Sequence, residues 1–326
     1  MNAHTKSRIE LFSANANKIK GKFVWQNTLS KCLAALLYAV EDKEIDAEAI
    51  RKSYELVKDG TSVFSSFRGN SFITIATLLS LHNNQHKQLT DALVVYDLMK
   101  SRKFWASDYL VVAAYLIADN TSKKNYTQVI DKAKAYYDGM KAEHYFLTGQ
   151  DDYIFAAMLG LSDIEIDSGL KQINQLYKTF KPVFRTGNSV QTLTQVIALG
   201  GENGDVESRV LDLNSKFRQW GMRLDRIYTL PSLGVLALLP VDSDTIVNNV
   251  IEAYGLLREQ RGFGRWSLTK QELLLFSSAL IAYEYLDDAK GHILTTTSTS
   301  LTNIIIAQQT AIAVAAATSA AASSSS

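Results

Sequence analysis

The sequence predicts an all-α protein built from about seven helical hairpins, and three observations lead to this prediction. Only 3 prolines occur in 326 residues, so long stretches lack the strongest helix breaker. Amphipathic segments with helical spacing alternate with segments that are apolar on nearly all sides. The alternation repeats about every 40 residues, and hairpins of that size stack into either an open α-solenoid or a closed α/α toroid.

The outer helix of each hairpin is predicted from a stripe of apolar residues. Leu89, Leu93 and Tyr96 lie three or four positions apart, which places them on one side of a helix. The same spacing occurs in segments 129–140, 170–180 and 246–257. Each of these helices is expected to have one face in the core and one face in water.

The inner helices are predicted from shorter segments that are apolar all round. Strands are the alternative, because short apolar runs are ambiguous, but the Ala and Leu content favours helices. The segments are far shorter than the roughly 20 apolar residues of a membrane span. They are Phe72–Leu81, Tyr109–Ala118, Tyr153–Leu161, Leu230–Leu239 and Leu273–Tyr283.

A recurring aromatic residue marks the repeat. It stands late in each amphipathic segment, at Tyr54, Tyr96, Tyr137, Tyr177, Phe217 and Tyr254. A lysine follows the first four of these after four positions, at Lys58, Lys100, Lys141 and Lys181. We therefore predict one helical-repeat domain over residues 1–290, and its continuous inner apolarity favours strong curvature or closure.

The C-terminal tail, residues 291–326, is rich in Ala, Ser and Thr, and residues 295–326 contain no charge. We expect part of it to be helical and packed on the last hairpin. Gln308 and Gln309 in its apolar run make a membrane span unlikely. Docking into a hydrophobic groove, in this molecule or a neighbouring copy, is the other interpretation, and it would allow residues 295–326 to mediate self-association.

Composition excludes several classes of protein. The 34 basic and 33 acidic residues leave no excess charge for binding nucleic acid. The single Cys32 lies in an apolar run, which indicates a buried thiol, and the first residues lack a signal peptide, so a cytoplasmic location is expected. The usual nucleotide, hydrolase and metallopeptidase motifs are absent, and His82 and His86 flank a loop, so no cofactor and no metal are predicted.

The turns from outer to inner helices should all lie at one end of the array, which we call the upper rim. Paired carboxylates near a histidine there could perform acid–base chemistry or hold a cation. Polar residues in helix-initiating turns also cap helices, as predicted for Asn70, Ser107, Thr186 or Asn188, and Ser267, and capping is the favoured interpretation. The candidate cluster is Arg68, His144, Gln150, Asp151, Asp152, Asn188, Gln191 and Trp266.

The turn motifs resemble an uncharacterised all-helical bacterial family, the domain of unknown function numbered four thousand and three. The resemblance runs from about residue 64 to the end, and segment 269–276 departs from the expected basic, Met-rich pattern. It implies a cytoplasmic helical protein and no particular activity. The matching motifs are Ser66-Phe67-Arg68-Gly69-Asn70, Ser107-x-Tyr109-Leu110 with Ala113-Ala114, Met140-Lys141-x-x-His144, Leu147-Thr148-Gly149-Gln150-Asp151-Asp152-Tyr153, Asn188-x-x-Gln191, Gly262-Phe263-Gly264-x-Trp266 and the Ala/Ser-rich tail after Gln308-Gln309.

Three functions are compatible with the sequence. The first is a non-enzymatic scaffold that binds a protein or peptide, indicated by the repeat and by the lack of catalytic motifs. The second is an enzyme of the helical-toroid kind with its site at the upper rim. The third and weakest is membrane attachment or self-assembly through the tail.

Overall fold

The computed structural model describes residues 1–201, 204–264, 267–290 and 304–315, and in this part every regular element is helical. The prediction of an all-α protein is confirmed. The five apolar segments are helices rather than strands, and two of them, Phe72–Leu81 and Tyr153–Leu161, have the predicted bounds. Among the described residues, no helix combines the length and the apolar character that a membrane crossing needs.

Seven long helices bury one face and leave the other in water. In Ile166–Phe180, for example, Gly169, Ile173, Leu176 and Phe180 are buried at spacings of three or four. We call them the outer helices: α1 (Ala3–Lys20), α3 (Ala47–Gly60), α5 (Gln85–Ser101), α7 (Tyr126–Glu143), α9 (Ile166–Phe180), α11 (Val206–Gln219) and α13 (Ser243–Glu259).

The helices that follow each of these are buried on nearly every side. All residues from Leu110 to Ala118 are buried, for example. These inner helices are α2 (Thr28–Val40), α4 (Phe72–Leu81), α6 (Asp108–Asn120), α8 (Tyr153–Leu161), α10 (Gly187–Leu199), α12 (Leu230–Ala237) and α14 (Lys270–Lys290). A further helix, α15 (304–315), follows after the undescribed segment 291–303.

Each outer helix packs against the inner helix that follows it, and inner helices pack on one another. Such contacts join α2 to α4, α6 to α8, α8 to α10, α10 to α12 and α12 to α14. Between the second and third hairpins, α6 contacts the 3₁₀ turn Ser66–Arg68, which precedes α4. Successive inner helices are thus linked along the series, directly or, between α4 and α6, through the Ser66–Arg68 turn.

The first hairpin also contacts the last. Helix α1 packs on α13 and α14, and α2 packs on α14. The Phe12 ring lies 5.5 Å from the Phe263 ring and 5.3 Å from the Phe276 ring, measured between centroids. Asn17 Nδ2 donates to the Arg261 carbonyl at 2.7 Å. The two ends of the hairpin series therefore share one part of the core.

Four of the six aromatic residues that mark the sequence period have a cation over the ring. The Lys58, Lys100 and Lys141 ammonium groups stand 5.3, 5.4 and 5.6 Å from the ring centres of Tyr54, Tyr96 and Tyr137. Arg258 lies over Tyr254 in the same way, at 5.3 Å. At a spacing of four residues, the cation is held over the ring by the helix itself.

Candidate functional site

The turn that leads into α8 holds a buried carboxylate. The Gly149 N–H donates to Asp152 Oδ2 at 2.8 Å across the 3₁₀ turn Gln150–Asp152. This bond folds the side chain of Asp152 inward, and only 2% of the residue is exposed. A Cβ at position 149 would stand 2.7 Å from Asp151 Oδ1, so a larger residue would displace the Asp151 side chain. The sequence of the turn thus places Asp152 inside and leaves Asp151 half-buried.

Two glutamines of α10 hold the same carboxylate. Gln191 Nε2 donates to Asp152 Oδ1 at 3.0 Å, and Gln195 Nε2 donates to the same atom at 2.6 Å. Gln191 Nε2 also lies 3.0 Å from Thr148 Oγ1. Because residues four apart lie on one face of a helix, both amides reach the turn together. The contact joins two neighbouring hairpins through one buried acid.

The pKa of Asp152 is raised to about 7, chiefly by burial and also by the negative charge of Asp151. The hydrogen bonds from Gln195, Gly149 and Gln191 lower the pKa and offset part of that rise. Asp152 therefore exchanges a proton close to neutral pH. A protonated Asp152 could donate to a glutamine carbonyl, and the Oε1 atoms of Gln191 and Gln195 are buried with no hydrogen-bond partner among the described residues.

Asp151 belongs to a second, more accessible contact. Asn188 Nδ2, at the start of α10, donates to Asp151 Oδ2 at 2.7 Å. Tyr109 of α6 lies close by: burial raises the pKa of its hydroxyl, and the charge of Asp151 is the next largest cause. The two neighbouring aspartates therefore have separate partners.

Two of the remaining candidate residues, Arg68 and His144, have partners of their own. Arg68 donates to the carbonyls of Lys58 and Thr61 and so caps the end of α3. His144 Nε2 lies 3.1 Å from Asn174 Oδ1, between α7 and α9. Gln150 is exposed, and Trp266 falls outside the described residues.

The structure thus brings together Asp151, Asp152, Asn188 and Gln191, and it adds Thr148 and Gln195, which sequence reasoning missed. A signal for Gln195 existed, because it stands four residues after Gln191 and so lies on the same face of the helix. No three His, Cys, Asp or Glu side chains in the described ranges come together as metal ligands would.

Helix α15 is a second notable feature of the interior. Its nine buried residues are Ile304, Ile305, Ala307, Gln308, Gln309, Thr310, Ile312, Ala313 and Val314. The other three are half-buried, so no side of the helix is open to water. Gln308 Nε2 donates to Ser232 Oγ of the inner helix α12 at 2.8 Å. The part of the tail that is described is therefore a buried helix, and it is bonded to the inner helix α12.

Fold and site together define an all-α protein of packed helical hairpins with a buried acid at one end and a buried helix in its interior. The chain belongs to the family described as "Protein of unknown function (DUF4003)", which matches residues 15–311. This confirms the family resemblance seen in the turn motifs.

A curated relative in Bacillus subtilis (strain 168), "Uncharacterized protein YeaA", is 23% identical over 205 residues. The alignment covers 61% of this chain and 60% of the relative, so the chain spans less than two thirds of the relative's length. No solved structure gives a significant match.

Proposed function

We propose that the protein is a helix-binding scaffold: one domain, residues 1–290, forms a closed α/α toroid whose centre holds an uncharged helix, here its own α15. The single observation that carries the proposal is the burial of α15 on every side. Contact between the first and last hairpins supports closure.

The size of such a ring fits one helix. Packed helices have axes 8–10 Å apart, so seven inner helices in a regular closed ring have axes about 9–12 Å from its centre. A single helix on the axis would then meet all seven near the usual packing distance. This geometry supplies a physical reason for the lack of charge in the tail, because a helix enclosed on all sides has no face on which to solvate a charge.

Helix α15 is suited to replacement by the helix of a partner. Gln309 Oε1 and Thr310 Oγ1 of α15 are buried without a hydrogen-bond partner among the described residues. Each such group costs about 1–3 kcal/mol of stability. A partner's helix without such unsatisfied polar groups would compete well with α15 for the same place. We infer that the ligand class is an uncharged, Ala- and Ile-rich helix of a protein or peptide.

The enzyme alternative has less support. It rests on the Asp151–Asp152 pair at the upper rim, but both oxygens of Asp152 accept hydrogen bonds from protein groups. Arg68 and His144 are engaged elsewhere. Self-association through the tail is also less favoured, since α15 leaves no open face for a second copy.

The buried Cys32, whose thiol pKa burial raises to about 12, suits a reducing compartment. We include a cytoplasmic location in the proposal on that ground.

The test displaces α15 from the interior by a substitution and then adds a peptide with the α15 sequence. Ala307→Asp places a carboxylate at a fully buried position, where an unpaired charge costs several kcal/mol. Limited proteolysis should then cut the chain near α15 while circular dichroism stays helical. A labelled peptide of residues 301–316 should bind this variant one to one by fluorescence anisotropy, and bind the parent protein far more weakly.

The matched control is Ala3→Asp, which puts the same charge at an exposed position in the first turn of α1. It should behave as the parent protein does. The proposal fails if folded Ala307→Asp protein binds no peptide, or if the peptide carrying Ala307→Asp binds equally well. Global unfolding of the variant would also contradict an exchangeable occupant.

A further inference from the structure

Exposed large apolar side chains concentrate at the upper rim. Val94 and Leu211 lie on outer helices, and all other such side chains of the described residues lie in the outer-to-inner turns. The side chains at the tips of two of these turns are almost fully exposed, Phe64 at 98% and Phe146 at 97%. The set, which we call the apolar crown, is Val24, Trp25, Val63, Phe64, Trp105, Tyr145, Phe146, Val183, Trp220 and Ile227.

Hydrogen bonds join neighbouring turns and fix them at one end of the molecule. Ser71 N donates to Asp108 Oδ1 at 2.7 Å, and Trp105 N donates to the Tyr153 hydroxyl at 3.2 Å. Further bonds continue the series through Asn188–Asp151, Ser189–Ile227, Thr229–Gln271 and Asn17–Arg261. The crown residues therefore project from a continuous band rather than from unrelated loops.

The two ends of the molecule differ in charge. Exposed basic side chains surround the crown at Lys20, Lys22, Lys103, Arg185 and Arg226. Of the acidic residues in the same turns, Asp152 is buried, the half-buried Asp151 accepts a hydrogen bond from Asn188, and Asp225 pairs with Arg218 and Arg223. At the opposite end the inner-to-outer turns are mainly acidic, with Glu41, Asp42, Glu44, Asp46, Asp163, Glu165, Asp205 and Asp242. Those turns expose no large apolar side chain among the described residues.

We propose that the apolar crown docks on an anionic lipid surface. Trp, Tyr and Phe side chains favour the interface between lipid and water, and Lys and Arg beside them attract anionic headgroups. The crown tips are spread around one end of the molecule, and a lipid surface can take up several separate tips at once. Binding is by adsorption, with no segment crossing the bilayer.

The crown fits other partners less well. A rigid protein partner buries a contiguous patch with a packed centre, whereas the crown residues stand on separate turns. A single nucleic-acid strand needs a basic groove lined by aromatic faces, and here the half-buried Asp151 lies in the same band.

The experiment uses the full chain with two kinds of vesicle, phosphatidylcholine alone and an equimolar mixture with phosphatidylglycerol. The protein should sediment with the anionic vesicles only. Its tryptophan emission should shift to shorter wavelength on binding, because Trp25, Trp105 and Trp220 are exposed in the free protein. The double variant Phe64→Ser, Phe146→Ser should bind at least about tenfold more weakly.

The matched control removes exposed apolar groups elsewhere: Val94→Ser, Leu211→Ser lies on outer helices and should bind as the parent protein does. Failure to bind anionic vesicles overturns the proposal, and so does an equal loss in both double variants. Binding of polyuridylic acid without vesicle binding would assign the crown to nucleic acid instead. A change of oligomeric state in the crown variant alone would assign it to self-association.

Discussion

Asp152 is a carboxylic acid that titrates near neutral pH inside the protein. An aspartate in the unfolded chain has a pKa near 3.9, whereas burial raises that of Asp152 to about 7. Between these two values the unfolded chain has lost the proton and the folded protein retains it. Rising pH therefore favours unfolding across this interval, by up to about 4 kcal/mol once Asp152 is charged in both states.

The Asp152→Asn substitution should remove this dependence. Its free energy of unfolding, measured in urea at several pH values, should fall less than that of the parent protein between about pH 4 and pH 7. The control is Asp151→Asn, which retains the titrating group. In that variant the free energy of unfolding should still fall as the pH rises, but the fall should end at a lower pH, since the charge of Asp151 contributes to the raised pKa of Asp152. Parallel profiles for Asp152→Asn and the parent protein would contradict the assignment.

At the scale of the helix, two glycines should respond in opposite ways to the same change. A Cβ at Gly160 of α8 would lie 2.6 Å from the Val129 carbonyl oxygen of α7, whereas a Cβ at Gly255 of α13 meets nothing within 4 Å. Gly160→Ala should lower the free energy of unfolding by about 1–3 kcal/mol because the two helices must separate. Gly255→Ala should raise it by roughly 0.5–1 kcal/mol. Urea denaturation of both variants tests this, and equal signs would contradict the packing.

Helix starts offer a second matched pair. Ser107 Oγ accepts from the Leu110 N–H at 3.2 Å, whereas Thr186 occupies the same cap position of α10 without a side-chain bond. Ser107→Ala should therefore cost about 1 kcal/mol, and Thr186→Ala much less. Thermal melts at one pH distinguish the two, and a larger loss for Thr186→Ala would reverse the assignment.

Elements that depend on local pattern were predictable, and those that depend on neighbours were not. Phe72–Leu81 and Tyr153–Leu161 follow from apolar composition alone. The cap predicted at Asn70 is wrong, because the N–H of Ser71 is bonded by Asp108 from the next hairpin. The cap predicted at Ser267 is also wrong: the turn before α14 is closed by Thr269 and Glu272, which bond each other's N–H groups.

At the scale of the molecule, Phe12 joins the first hairpin to the last. Phe12→Ala should cost about 3–5 kcal/mol, since the ring is fully buried between Phe263 and Phe276. Hydrogen exchange should increase in α13 and α14 as well as in α1, because the contact is shared. An increase limited to α1 would contradict a shared closing contact.

The candidate site, too, was predictable from the sequence only in part. Sequence reasoning put Asp151, Asp152, Asn188 and Gln191 in one candidate cluster without pairing them. In the structure Asn188 bonds to Asp151 and Gln191 to Asp152, residues nearly 40 positions apart. Arg68 and His144 were predicted at the same end, but Arg68 is bonded to backbone carbonyls and His144 to Asn174. The burial of α15 was not predictable in detail, because it depends on how helices far apart in sequence surround it.

Helix α15 also bears on the order in which the molecule is made. Ribosomes synthesise α1 first and α15 last among the described helices. Phe12 of α1 can therefore pack on Phe276 only after α14 has been made, and Ser232 of α12 can accept its hydrogen bond only after Gln308 has been made. Hairpins can form as the chain emerges, but the interior is complete only after residue 315 has left the ribosome. Nascent chains thus expose apolar faces of their inner helices until α15 has emerged, and we expect chaperones that bind such faces to associate with them up to that point.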